Sequence, residues 1–273
     1  MKVDISYKQP KQILTVTGGF LEGYTHSLNP YAGCAFACSY CYVRRMPVGL
    51  FRGQPWGTWV QVKEEAAEQL RIDMRKARKK GKVTIFMSSS TDPYQPVEYQ
   101  ARITRSLLEV LVEEKPDFLF VQTRSPLVTR DIDLFQQLQD RIRISMTIET
   151  DLERVRKAFS PAAPPIPARL RALEQISESG LPAQATLAPL LPFSPSFPKK
   201  LAEIVDRVCI DDFYAGDGSG GKRTEQLKIR QIYEEMGLEQ WYGKGMHEKV
   251  YPLFQGDFTE DQILLSREGF LPD

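Results

Sequence analysis

Six short apolar runs, at residues 25–29, 82–87, 117–122, 143–148, 183–188 and 207–212, alternate with single amphipathic stretches along most of this 273-residue chain. Strands separated by single helices pair in parallel through right-handed crossovers, which leaves few topologies open. Helices are expected over 62–81, 99–114, 131–139, from 152, and over 168–179. Six units of roughly 35 residues fall short of the eight that close a barrel of about 250. The fold class is therefore α/β, a partial (β/α)6 barrel with parallel strands and helices outside. The proline-rich stretch 161–167 is only seven residues long, and the alternation continues across it, so it reads as a stiff excursion and not a linker. One domain is expected, with 1–24 as an N-terminal extension, 25–215 as the barrel core and 216–273 as a helical cover built on 223–236 and 240–247.

Three of the four cysteines, Cys34, Cys38 and Cys41, fall within eight positions as C-x3-C-x2-C. An odd number cannot all pair with one another, and Cys209 is remote in sequence. Thiolates hold iron–sulfur clusters, and a four-iron cubane normally takes four of them. Three ligands leave one iron open to a substrate or cofactor. A Cys3His zinc site completed by His26 or His247 is the alternative, although structural zinc usually draws on two C-x2-C pairs and only one is present. Gly33, with Ala32, Ala35 and Ala37, suits a tight loop around a bulky group, because small side chains let backbone come close.

The pattern C-x3-C-x-aromatic-C, with Tyr40 as the aromatic, resembles the signature of radical S-adenosylmethionine (SAM) enzymes. That resemblance implies one [4Fe-4S] cluster on Cys34, Cys38 and Cys41, with its open iron bound by the amino and carboxylate groups of SAM. It also implies a cellular one-electron reductant, cleavage of SAM to a 5'-deoxyadenosyl radical, and Tyr40 beside the adenine. The implied fold is the same partial barrel, with the cluster on the loop after the first strand. Asn-Pro-Tyr-x-Gly-Cys at 29–34, Ser-Thr-Asp-Pro-Tyr-Gln-Pro at 90–96 and Thr-Arg-Ser-Pro-Leu-Val-x-Arg-Asp at 123–131 narrow the likeness. They resemble the branch grouped with spore photoproduct lyase. One departure stands out: Ser89 occupies the place where that lyase carries a hydrogen-donating cysteine, and Cys209 is the remaining candidate thiol, although a lone Cys in an apolar strand is more often inert.

Reacting groups of βα barrels sit at the carboxyl ends of strands. By the resemblance, Ser90, Thr91 and Asp92 after the second strand would hold the amino group of SAM. An ordinary turn at Asp92-Pro93 is the bland reading. Thr123, Arg124 and Ser125 after the third strand offer hydroxyls and a cation to a carboxylate, for which the planar guanidinium is well suited. Ser145, Thr147 and Glu149 at the fourth are candidates for ribose hydroxyls or the sulfonium. No catalytic residue is assigned.

The 36 basic and 35 acidic residues nearly cancel, so no global field draws in a polyanion. A basic run from Arg71 to Lys82 closes a helix, where cations oppose the dipole, and a polyanion patch is the alternative. Arg44, Arg45 and Arg52 follow the cysteines and are candidates to face substrate. Trp56 and Trp59 are candidates to stack a base, with core packing as the plainer reading. No run reaches the roughly 18 apolar residues of a membrane span, and the N-terminus lacks a signal-peptide core. Free thiolates suit a reducing compartment. A cytoplasmic monomer without membrane contact is expected, acting on an unidentified substrate. A nucleic acid or nucleotide, a peptide or small metabolite, and a non-catalytic zinc or iron–sulfur module all remain open.

Overall fold

The computed structural model describes residues 3–272. Eleven strands are present among them: β1 Asp4–Lys8, β2 Leu14–Val16, β3 His26–Leu28, β4 Tyr31–Ala32, β5 Trp59–Lys63, β6 Thr84–Met87, β7 Phe118–Thr123, β8 Ile142–Thr147, β9 Ala183–Leu187, β10 Val208–Ile210 and β11 Ile263–Leu265. The six expected strands are β3 and β6 to β10, and they pair in parallel in sequence order. Two strands the sequence reading missed extend this sheet to eight. β2 adds antiparallel to β3, and β11 adds parallel to β10. The segment after residue 215 is therefore not purely helical.

A second, three-stranded sheet orders β1, β5 and β4. It corrects the helix expected over 62–81. Trp59–Lys63 is a strand in which Trp59, Val60 and Val62 are buried and Gln61 and Lys63 half-buried, and Glu65 turns in the left-handed region before the helix Ala66–Arg78 begins. The β-branched Val60 and Val62 beside Trp59 favour an extended chain. Because β4 pairs Tyr31 with Val62 and Ala32 with Gln61, this sheet anchors the approach to the cysteine loop.

Ala66–Arg78 buries Ala66, Leu70, Met74 and Ala77 on one stripe, the spacing of a core-facing helix. Asp73 on the same face accepts the backbone N–H groups of Ile13 and Leu14, which pins the N-terminal segment to it. The helix expected over 99–114 is divided into Glu98–Ala101 and Ile103–Glu114 by a left-handed Arg102. The region near 131–139 holds only the short helix Ile132–Phe135 after a 3-10 turn. Helix Ile166–Glu178 starts inside the proline-rich stretch with Pro167 in its first turn, where a missing N–H costs nothing. Arg156 Nη1 bonds the carbonyls of Ser160, Pro161 and Ala163 and stiffens that excursion.

Register brings the strand ends level. Leu28 pairs with Met87, Met87 with Val121, Thr123 with Met146 and Thr147 with Thr186. Residues 29, 88, 122–124, 147–149, 188 and 211 thus share one rim.

Candidate functional site

The cysteine loop crosses this rim and is closely tied. Gly33 has φ +82, and a Cβ there would lie 2.5 Å from the Trp59 carbonyl oxygen. Thr91 Oγ1 donates to the Gly33 carbonyl at 2.6 Å, and Gln95 bonds both the Ala35 N–H and that carbonyl. Arg44 bonds the carbonyls of Cys38 and Ala37 at 2.9 and 2.7 Å, so it braces the loop. Arg45 bonds the carbonyl of Gln226, and Arg52 lies over the buried Trp59 ring. The substrate-facing role expected of these arginines is replaced by loop bracing and packing. Trp59 is core, whereas Trp56 lines the cavity described next.

Cys34, Cys38 and Cys41 line one wall of a cavity of about 440 Å³ at the rim. Ser90, Thr91, Asp92, Thr123, Arg124 and Thr147 line it too, as does Tyr40. Ser125 and Ser145 do not. Ser125 caps the turn Pro126–Asp131 by accepting from the Leu127 N–H, and Ser145 bonds Thr186 and Gln184 inside the barrel. Ser145 faces the same way as Thr147 but lies two residues further back along its strand, and Ser125 lies past the end of its own strand in the turn, so strand-end position alone does not select them. Phe20 and Leu21 from the N-terminal segment and Phe270 near the C-terminus also line the cavity and were missed, since no local pattern marks a residue that arrives from a distant segment, and Gln122 joins them from the strand position before Thr123.

Asp92 is already engaged by its own chain. Oδ1 accepts from Thr123 Oγ1 at 2.7 Å and from the Tyr94 N–H, and Oδ2 accepts from the Arg124 N–H at 2.9 Å. Burial pushes its carboxyl up, and these bonds oppose the shift. Asp92 therefore ties the second strand end to the third. Asn29 performs a related service by bonding the Ser90 N–H and the Ser89 hydroxyl.

All four cysteines are free thiols. Burial pushes the Cys41 thiol up to about 11 and raises Cys34 further. Ligation must therefore displace protons. Among the described residues no three His, Cys, Asp or Glu side chains converge on a single ion. Three thiols from one loop lining a common cavity suit a polynuclear cluster, in which each thiolate takes its own iron. The zinc alternative lacks its fourth ligand here: His26 Nδ1 meets Thr25 Oγ1, His247 Nδ1 meets Asp212 Oδ2 at 2.7 Å, and neither lines the cavity.

The Radical SAM superfamily model matches residues 28–205, well over half of the chain. The protein belongs to the radical SAM superfamily. An uncharacterized protein of Methanocaldococcus jannaschii is 34% identical over 172 residues, which is 63% of this chain and 62% of that protein. One from Acidianus two-tailed virus is 31% identical over 230 residues, covering 82% of this chain and 67% of its own length. The chain thus spans about two thirds of these relatives. A cysteine-to-serine mutant of spore photoproduct lyase superposes with TM-score 0.65 at 12% identity, over 96% of this chain and 81% of that one. A mutant of the same lyase with bound AdoMet and dinucleoside spore photoproduct gives 0.64 at 13%, with the same coverage. The radical SAM fold is shared with that lyase. Among the described residues no helix is long and apolar enough to cross a membrane.

Asp211 also lines the cavity, and its carboxyl is pushed up to about 7 by burial and by Asp212 beside it. Gly216 is required there, because a Cβ would lie 2.2 Å from Asp211 Oδ2. Between about pH 4 and about pH 7 the folded chain holds a proton that the unfolded chain has lost, so stability falls as pH rises through that window and then levels off. Asp211→Asn removes this penalty. It is expected to raise stability at about pH 8 by on the order of 2–4 kcal/mol, and to leave it nearly unchanged at about pH 4. Thermal unfolding of both proteins at the two pH values checks this, and equal differences at both would refute it.

Proposed function

We propose that this enzyme reductively cleaves SAM and uses the resulting radical to abstract hydrogen from a nucleic-acid-related substrate. The observation that carries the first part is the placement of Cys34, Cys38 and Cys41 on one wall of a cavity that also presents the strand-end polar groups. The donor set fits a [4Fe-4S] cluster with one iron left for SAM. When bound, that cluster supplies one electron to the sulfonium, which divides into methionine and a 5'-deoxyadenosyl radical. The chain's own residues orient the reactants. Tyr40 is held at its hydroxyl by Glu149 and at its ring edge by Phe213, centroids 6.0 Å apart, and so presents a fixed face for the adenine. Arg124 offers charge to the carboxylate of SAM, and Ser90, Thr91, Thr123 and Thr147 offer hydroxyls. Asp92 serves by fixing the Arg124 backbone. Phe20, Leu21, Phe86 and Phe270 give the cavity apolar surface that limits water around a radical.

The nucleic-acid part is supported by the fold shared with spore photoproduct lyase. Anaerobic reconstitution with iron and sulfide is expected to give about four irons per chain, and stoichiometric zinc with no iron-dependent visible absorbance would contradict it.

Ser89 sets a limit on the reading. Its hydroxyl accepts from Asn29 Nδ2 at 3.2 Å, and its carbonyl accepts from the Tyr42 hydroxyl at 2.6 Å. A serine O–H is a far poorer hydrogen-atom donor than a thiol. Cys209 does not replace it, because Gly269 closes over its sulfur and it does not line the cavity. Spore photoproduct supplied to the enzyme is therefore expected to give abundant 5'-deoxyadenosine with little restored thymine, and Ser89→Cys is expected to raise the thymine yield without changing SAM cleavage. Clean stoichiometric repair by the wild type would overturn this.

A further inference from the structure

A buried charge group joins the third and fourth strand ends beside the cavity. Glu149 is 1% exposed and sits between two arginines. One carboxylate oxygen meets Arg124 Nη1 at 2.6 Å and also accepts from the Tyr40 hydroxyl, while the other meets the fully buried Arg169. The two arginine charges hold the Glu149 carboxyl down at about 2, so it is ionised at every working pH. A buried ion group of this kind is weak evidence for stability, since desolvation offsets most of its Coulomb gain. What it does accomplish is placement. Arg124 Nη1 also lies 3.2 Å from Cys38 Sγ, and its Cζ stands 5.7 Å from the centre of the Tyr40 ring. Among the described residues, all hydrogen bonds of the guanidinium run through Nη1. Its remaining nitrogens are left for a ligand in the cavity that Arg124 lines.

We propose that Arg124, fixed by Glu149, is a positioning residue that donates a hydrogen bond to the Cys38 sulfur and sets the reduction potential of the cluster before SAM binds. A donor on a ligating thiolate, and a positive charge beside it, both favour the reduced and more negative cluster. Glu149 opposes that effect through its own charge while holding the donor in register. The inference rests on Cys38 being a cluster ligand. It adds a function for Arg124 that operates without SAM.

The test is an optical and electron-paramagnetic redox titration of the reconstituted, SAM-free protein. Arg124→Gln is expected to lower the reduced-to-oxidised ratio at a fixed poise about tenfold, a shift of about 59 mV for one electron, and Arg124→Lys to restore most of it. Glu149→Gln is expected to move the ratio the opposite way. Opposite signs from the two halves of one ion pair are not produced by general loosening of the loop. Shifts under about threefold for both variants, or shifts of the same sign, would overturn the proposal. If Arg124→Gln takes up no cluster, the signs for Arg124→Lys and Glu149→Gln decide instead. A wild type that takes up no cluster would defeat the reading of the site itself, whereas a full cluster insensitive to both residues defeats only this inference.

Discussion

Cys38→Ala is expected to lose bound iron and to reduce 5'-deoxyadenosine formation to background. Cys38 is the middle of the three thiols and among the described residues is the one with a side-chain hydrogen bond to a cation, from Arg124. Replacing even an outer partner of a metal ligand typically costs about 10–100-fold in affinity or activity. Loss of a ligand should therefore exceed about 100-fold in SAM cleavage. The fold should survive, since Cys38 belongs to a small apolar cluster with Phe36, Val155 and Phe159 that an alanine still fills in part. Circular dichroism like the wild type's, together with an iron content near zero, is the expected pair of results. Wild-type iron in the variant would remove Cys38 from the ligand set.

The second large effect is steric. Gly57 has φ +95, and a Cβ there would stand 2.3 Å from the Cβ of Ala37, itself a left-handed residue between Cys34 and Cys38. Gly57→Val asks a branched residue to adopt a backbone that costs about 1–3 kcal/mol. It also drives the side chain into the cysteine loop, where overpacking costs a further 1–3 kcal/mol or so. A stability loss of about 2–6 kcal/mol is expected, with weakened cluster uptake, although residue 57 has no contact with metal in this account. Gly53→Val is the control, because its Cβ would meet nothing within 4 Å, so it bears only the backbone strain of φ +74. Equal uptake and equal stability for the two variants would show that the loop yields freely at Ala37.

The parallel core was legible because each of its strands is a short apolar run set off from a longer amphipathic stretch, and run length with β-branched and aromatic content separates the two. Where the pattern is brief, reading failed. β2 and β11 have three residues each, too few for a period, and the strand Trp59–Lys63 abuts a helix of similar apolar content. Spacing alone groups Cys34, Cys38, Cys41 and Tyr40, and the structure brings all four to one cavity. The partners that hold them were not legible. Arg169 looks like any other helix arginine in sequence, and only the fold shows it fully buried against Glu149. Asp92 shows the reverse. Its type and place suggest a ligand, while the structure spends both of its oxygens on joining two strand ends.

The measurement that bears most directly on the central claim is chromatography of SAM incubated with the anaerobically reconstituted protein and a strong one-electron reductant. Equal amounts of 5'-deoxyadenosine and methionine, formed without added substrate and absent from a Cys41→Ala control, are the predicted result. A wild type with its cluster confirmed that yields no nucleoside above that control would contradict the account.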